Sequence, residues 1–196
     1  MKKVLLMLSI TLFSRMLAAQ GLDLATLQGE HWYGLYLNGQ KSGYSMTSLA
    51  VAKDGSATLV EDARFRVQMG GQRQDMRSLT TRTYAPGGEL VKVTAEVQDA
   101  ATRSTFAGLV EGDALKFTAT IGGVTSAETL PRPKETLKDM LRQLGLLGKQ
   151  SKVGDQVTYA VFDPTFKKEL HGTSAIAGIE ERLLEGAPTK VFKIKS

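Results

Sequence analysis

Short turn sequences divide most of this chain into segments that suit β-strands. Asn38-Gly39, Lys53-Asp54-Gly55, Gly70-Gly71 and Gly122-Gly123 are such turns, and comparable signals return about every 10 to 15 residues. Neighbouring parallel strands need a crossover of about a dozen residues, usually a helix, and none of these gaps can hold one. The spacing therefore predicts a mainly β fold, in which consecutive antiparallel strands form one long, curved meander sheet or half-barrel.

The segments between the turns alternate apolar and polar side chains. In residues 58–69, Phe65 and Val67 alternate with Arg64 and Arg66, which is the period of a strand with one polar face. The strands predicted in this way span residues 31–37, 41–52, 58–69, 73–84, 90–97, 102–110, 114–121, 124–130, 156–163, 166–174, 175–184 and 189–195. Because the alternation continues to Ser196, we expect the domain to be truncated at its C-terminal end.

One segment has the period of a helix. Its apolar stripe consists of Leu137, Met140, Leu141, Leu144 and Leu147. Thr136 and Asp139 resemble a capping box in which Asp replaces the usual Glu. We therefore predict a helix near residues 134–147 that packs on the sheet, with Leu141 buried and Lys138 on the opposite face.

The first nineteen residues have the three parts of a secretory signal peptide. A basic start, Met1-Lys2-Lys3, precedes a mostly apolar run over residues 4–13, and Leu17-Ala18-Ala19 supplies a cleavage site. The apolar run is shorter than the ~20 residues that a membrane-spanning helix needs. We expect export to the periplasm or the extracellular space, with cleavage after Ala19 or, alternatively, after Ala18. Residues 20–196 then form a single β-rich domain.

Loss of the leader changes the charge of the chain. The leader contains three basic residues and no acid, so the formal net charge falls from +5 to +2. The sequence also has no run of four basic residues and no basic stripe interleaved with aromatic residues. These observations predict no nucleic-acid partner.

Residues with catalytic or metal-binding chemistry are sparse. The chain has no cysteine, which excludes disulfides, Cys-ligated zinc, iron–sulfur clusters and a thiol nucleophile. Its two histidines, His31 and His171, lie in no catalytic motif and have no metal-ligand spacing. Gly148-Lys149 does not belong to a phosphate loop, because position 143 is Gln rather than Gly and position 150 is Gln rather than Ser or Thr.

The paired acids do not suggest a catalytic site either. Glu180 and Glu181, like Glu61 and Asp62, are neighbours on predicted strands, so their side chains should point to opposite faces. We therefore predict no catalytic, cofactor-binding or metal-binding residues, no cofactor, and no enzyme activity in this chain.

The aromatic residues allow two interpretations. They can form the core, which is the expected use, or they can line a lipid pocket inside the curved sheet. The set comprises Trp32, Tyr33, Tyr36, Tyr44, Phe65, Phe106, Phe117, Phe162 and Phe192.

Residues 30–44 carry a recognisable pattern, W-Y-G-x-Y-L-x-G-x-K-x-G-Y. The matching residues are Trp32, Tyr33, Gly34, Tyr36, Leu37, Gly39, Lys41, Gly43 and Tyr44. A second match is Val153-Gly154-Asp155 followed by Phe162-Asp163-Pro164. Across most of residues 30–196 the chain resembles a β-rich domain of exported bacterial proteins that precedes transglutaminase-like domains, and related periplasmic domains of unknown function.

The resemblance implies an accessory domain without the enzyme. Transglutaminase-like chemistry uses Cys, His and Asp, and this chain has no cysteine. We expect a non-catalytic scaffold or substrate-presenting module, with a downstream transglutaminase-like domain as partner and no membrane span. The alternative is a periplasmic carrier of lipid or lipoprotein, with an apolar ligand in a cavity of the curved sheet.

Overall fold

The computed structural model describes residues 27–37, 40–69, 72–99, 101–145, 151–184 and 187–195. The predicted leader, the turns at residues 38–39 and 70–71, and the end of the predicted helix lie outside these residues. Within them, no helix is both long enough and apolar enough to cross a bilayer.

The first eight strands form one antiparallel sheet in chain order. Each strand pairs with the next, from β1 to β8, and the sheet does not close into a barrel. The eight strands are β1 (Gly29–Leu37), β2 (Gln40–Val51), β3 (Ala57–Met69), β4 (Gln72–Tyr84), β5 (Leu90–Gln98), β6 (Arg103–Glu111), β7 (Ala114–Ile121) and β8 (Val124–Pro131). This arrangement confirms the predicted mainly β class and the long meander.

The closing strands form a second sheet. It contains β9 (Gln156–Asp163), β10 (Lys168–Leu184) and β11 (Ala187–Lys195), in the order β11-β10-β9. The prediction of two strands over 166–174 and 175–184 was wrong, because β10 is continuous. Its first half pairs with β9 and its second half with β11, and the two ladders meet at Ala175. The predicted boundary between residues 174 and 175 coincides with this change of partner. The register of the β10–β11 pair also shifts nearby, between Ile176 and Gly178.

The predicted helix is present but begins later than expected. Helix α1 spans Leu137–Gly145. Thr136 Oγ1 donates to Asp139 Oδ2 at 2.7 Å, and the Thr136 N–H reaches the same oxygen at 3.3 Å. The Asp139 N–H returns a bond to Thr136 Oγ1 at 3.4 Å, so the predicted capping box is confirmed.

The helix packs on one face of the eight-stranded sheet, which we call the inner face. Leu137, Met140 and Leu141 are buried in a first core cluster with sheet residues such as Leu59 and Tyr84. The burial of Leu141 is therefore confirmed, whereas Lys138 is half-buried. The opposite, outer face contributes no residue to either core cluster.

Strand β9 joins the second sheet to the inner face. Phe162 belongs to a second core cluster with Phe106 and Phe117, and its ring meets the Phe117 ring edge-on at 6.2 Å. The adjacent residue, Val161, packs instead against the first cluster. Side chains on both faces of β9 therefore pack against the core at this point. Phe106, Phe117 and Phe162 are buried, which confirms their expected core role.

Candidate functional site

A buried polar cluster ties β9 and the helix start to the inner face. Glu135 precedes the helix, and its Oε2 accepts the Phe162 N–H at 2.7 Å. Its Oε1 accepts the Tyr84 hydroxyl and lies 3.2 Å from Arg82 Nε, which is close enough for an ion pair but not aligned for a hydrogen bond. Arg82 also donates to the Phe162 carbonyl at 3.3 Å and to the Glu61 carboxylate. We call Glu61, Arg82, Tyr84 and Glu135 the clamp, since they hold both backbone groups of Phe162.

The electrostatics of the clamp follow from its burial. Burial raises the pKa of Glu135, against the lowering effects of the Arg82 charge, the Tyr84 hydroxyl and the Phe162 N–H. Burial lowers the pKa of Arg82, but the Glu61 and Glu135 charges outweigh it, so the guanidinium pKa is raised and the group stays protonated. Burial first, and then the Glu135 charge, raises the pKa of the Tyr84 phenol, which stays a donor. With Arg82 and Glu135 closed to solvent, we assign the clamp to holding the two sheets together.

Sequence reasoning paired Glu61 with Asp62 and predicted opposite faces, and the structure confirms this. Glu61 faces inward to Arg82, and Asp62 faces outward to Arg77. Arg82 and Glu135 were not predicted as a cluster, because they lie in distant parts of the chain.

The two histidines lie in different sheets. His31, in β1, lies with Nε2 2.9 Å from the Leu27 carbonyl oxygen. His171, in β10, is exposed, and its Nε2 is 3.3 Å from Glu169. His171 lines an open groove of about 510 Å³ together with Tyr159 and Arg142. The structure therefore does not bring the two candidate histidines into one site. Among the described residues, no three His, Asp or Glu side chains are grouped so as to hold a metal ion.

Three aromatic residues of the motif lie on the surface rather than in the core. Trp32, Tyr36 and Tyr44 are 62%, 55% and 40% exposed, so the expected core role was wrong for them. The Trp32 and Tyr44 ring centroids are 5.7 Å apart. Trp32 Nε1 donates to Glu30 at 3.2 Å, which orients the indole. We call Trp32, Tyr36 and Tyr44 the aromatic triad; it lies on the outer face of the β1–β2 edge of the sheet.

Two glycines of the motif shape this surface. A Cβ at Gly34 would lie 3.0 Å from Tyr36 Cε2, so the Tyr36 ring lies against the glycine backbone. A Cβ at Gly43 would lie 2.0 Å from the Arg64 carbonyl oxygen, a distance that no side chain can adopt. A register shift after Leu35 sets Tyr36 opposite Lys41. The glycines therefore allow the close backbone approach and ring stacking that build the triad.

An arginine row continues from the triad across the outer face. Tyr44 pairs with Arg64, Arg64 with Arg77, Arg77 with Gln98, and Gln98 with Arg103. Because directly opposed residues share a face, these side chains form a line across five strands. We call Arg64, Arg77 and Arg103 the arginine row. The sequence alone shows no basic stripe with aromatic residues, because only the pairing of the strands brings Tyr44 and the three arginines into line.

Carboxylates lie beside the row. Asp62 accepts two bonds from Arg77, at 2.9 and 2.8 Å, and lies 3.8 Å from Arg64. The Arg77 hydrogen bonds lower the pKa of Asp62. Glu96 is bound by Arg103 at 2.6 Å. The row is thus a mixed but mainly cationic surface.

The chain matches no protein-family model, no curated protein and no solved structure.

Proposed function

We propose that this chain is an exported, non-catalytic accessory domain that holds a transglutaminase-like domain or presents a substrate to it. The observation that carries this proposal is the aromatic triad, which displays Trp32, Tyr36 and Tyr44 on the surface. These three residues belong to the pattern that resembles the domain preceding transglutaminase-like enzymes. A surface role for them favours docking over packing within the domain.

The chemistry of the triad suits a protein interface. Trp and Tyr are enriched among the residues whose truncation costs about 2 kcal/mol or more in protein complexes. Each can bury roughly 150–250 Å² of surface with few rotatable bonds, so little side-chain entropy is lost on binding. The Tyr36 ring lies against the backbone of Gly34, which further limits its motion. The triad is therefore preorganised for a flat, partly apolar partner surface.

The test is binding to a transglutaminase-like domain encoded beyond codon 196 or by a neighbouring gene. Calorimetric titration should give saturable binding, and Trp32→Ala should weaken it about 30-fold, equivalent to about 2 kcal/mol. Phe166→Ala removes another exposed aromatic side chain, in the turn between β9 and β10, and should leave affinity unchanged. Equal affinity of the Trp32 variant, or no such domain in the reading frame or its neighbourhood, contradicts the proposal.

A direct readout is available because Trp32 is the only tryptophan of the chain. Incorporation of 5-fluorotryptophan gives a single ¹⁹F resonance, which should shift when the partner covers the triad. A titration that leaves this resonance unmoved would show that any binding occurs elsewhere.

Export is tested separately. The mature protein recovered outside the cytoplasm should begin at Gln20, or at Ala19 if cleavage follows Ala18. Full-length protein that stays in the cytoplasm with Met1 intact would contradict the export proposal.

A second candidate, the lipid or lipoprotein carrier, is favoured by one observation. Phe65, Val67 and Met76 lie on the inner face of β3 and β4, on the strand ends distant from the first core cluster, and are only half-buried. Half-buried apolar side chains on a curved face could contact an acyl chain. Native mass spectrometry of protein purified from cells should then show bound lipid. The absence of lipid, together with no binding of a fluorescent fatty acid, would exclude this candidate.

A further inference from the structure

We propose that the arginine row is a binding surface for an acidic segment of a polypeptide partner. This inference goes beyond the accessory role proposed above, because it rests on Arg64, Arg77 and Arg103 and not on the aromatic triad. It holds whether or not a catalytic domain docks on the triad.

The first support is an arrangement that folding alone does not favour. Arg64 and Arg77 are directly opposed on neighbouring strands, and like charges in this position destabilise a sheet. One carboxylate, Asp62, serves both guanidinium groups, and it lies much closer to Arg77. An additional carboxylate from a partner would relieve the repulsion between Arg64 and Arg77. The arrangement therefore lowers the stability of the free protein and favours binding of an acidic partner.

The second support is charge complementarity. Five arginines crowd the outer face around the row against three acids, which leaves an excess of two positive charges. The arginines are Arg64, Arg66, Arg73, Arg77 and Arg103, and the acids are Asp62, Asp75 and Glu96. Arg64 and Arg103 are more than half exposed, so their guanidinium groups remain accessible to a partner.

The geometry favours carboxylates on an extended chain. Arg77 already holds a carboxylate with two parallel bonds, the geometry that makes arginine selective for carboxylate and phosphate. From Arg64 on β3 to Arg103 on β6 the row crosses three strand spacings, about 14 Å at ~4.8 Å each. An extended peptide covers that length in about four residues.

Membranes and nucleic acids fit the row less well. The row meets the aromatic triad at Tyr44, but Asp62 and Glu96 lie among its guanidinium groups, and a continuous anionic lipid surface would be repelled by both carboxylates. Duplex DNA carries about one charge per 1.7 Å, and a surplus of two positive charges would match few phosphates. An acidic peptide needs only two or three contacts.

The experiment measures binding of a fluorescein-labelled deca-glutamate peptide by anisotropy, with deca-glutamine as the uncharged reference. We expect binding of the glutamate peptide alone, weaker at high salt because exposed charges are screened. The double variant Arg64→Gln/Arg103→Gln should bind about tenfold more weakly, equivalent to about 1.4 kcal/mol. Its melting temperature should stay close to that of the unmodified protein, since both side chains are exposed.

Arg182→Gln/Lys193→Gln is the matched control, since it also removes two exposed positive charges. Arg182 on β10 is as exposed as Arg64, at 52%, and Lys193 on β11 is 61% exposed; both are paired with one acid, Glu180. This control should leave peptide affinity unchanged. Equal weakening by the control and the double variant would overturn the inference, as would binding of phosphatidylglycerol vesicles or duplex DNA without binding of deca-glutamate. Failure of Trp32→Ala to affect domain docking would contradict only the accessory role.

Discussion

Removal of the Glu135 carboxylate is the sharpest test of how the two sheets are joined. Glu135→Ala deletes the acceptor of the Tyr84 hydroxyl and of the Phe162 N–H, and it leaves Arg82 with Glu61 as its remaining carboxylate. Breaking a buried ion pair from one side costs about 3–5 kcal/mol. Each buried group left without its hydrogen bond costs about 1–3 kcal/mol.

These costs overlap, because the same carboxylate serves all three partners. We therefore expect Glu135→Ala to lower the free energy of unfolding by about 4–5 kcal/mol, at the upper end of the range for one broken buried pair. Domains of this size are stable by about 5–15 kcal/mol, so the variant should be close to unfolding.

Glu135→Gln keeps the size of the side chain and an oxygen that can accept the Phe162 N–H. Since burial already disfavours the charged form of Glu135, the neutral amide should cost less than alanine, about 1–3 kcal/mol. This variant should remain folded and so keeps the experiment informative if the alanine variant does not fold. Glu111→Ala, at the exposed end of β6, should change stability by less than about 0.5 kcal/mol.

Urea unfolding measures the global effect, and hydrogen exchange measures the local one. In the glutamine variant, the amide of Phe162 should exchange faster relative to the central strands of the main sheet, because a neutral amide oxygen accepts its N–H less strongly than a carboxylate does. If Glu135→Ala and Glu111→Ala unfold at the same urea concentration, the clamp does not join the sheets and the reasoning is refuted.

Three further outcomes are expected from the structure. Leu141→Ala should cost about 2–5 kcal/mol in urea melts, and Lys138→Ala less than about 0.5 kcal/mol; equal small shifts would mean that the helix does not pack on the sheet. Gly43→Ala should cost about 1–3 kcal/mol or more by thermal melting, because its Cβ would overlap the β3 backbone, whereas Gly178→Ala, whose nearest neighbour would be 3.5 Å away, should be tolerated. Asp62 has a lowered pKa, so its contribution is present above its ordinary value of 3.8 and is lost as the pH falls through the folded value. Asp62→Asn should therefore cost about 1 kcal/mol at pH 7 and less at pH 3.

Local signals explain why the main sheet could be predicted from the sequence. Each turn joins two strands that pair with each other, so alternation and turn position suffice to place β1 to β8. The capping box of Thr136 and Asp139 is equally local, since its partners are three residues apart. The sequence placed the helix start three residues early because Lys134 and Glu135 are compatible with a helix. In the fold, Glu135 is part of the clamp, and the strand-like bridge between Glu89 and Thr136 holds the chain outside the helix.

Features that depend on pairing between distant segments could not be predicted. The arginine row needs the registers of three strand pairs, and the clamp joins Glu61 and Arg82 to residues more than fifty positions away. One signal was present for the clamp. Alternation along β4 puts Arg82 on the same face as Tyr84, and a charge on an apolar face requires a buried partner.

The aromatic triad shows why composition alone misplaces side chains in an edge hairpin. Alternation divides β1 into two faces, with Tyr33 and Leu35 inward and Trp32, Gly34 and Tyr36 outward. Both core clusters lie on the inner side, so Tyr33 packs against the first cluster while Trp32 stays exposed. The pKa of Tyr33 is raised to about 12, by its burial first and by Glu61 second, which agrees with this inward position. One short motif therefore has two separable roles. Its inward residues attach the hairpin to the domain, and its outward residues form the surface that we propose for docking.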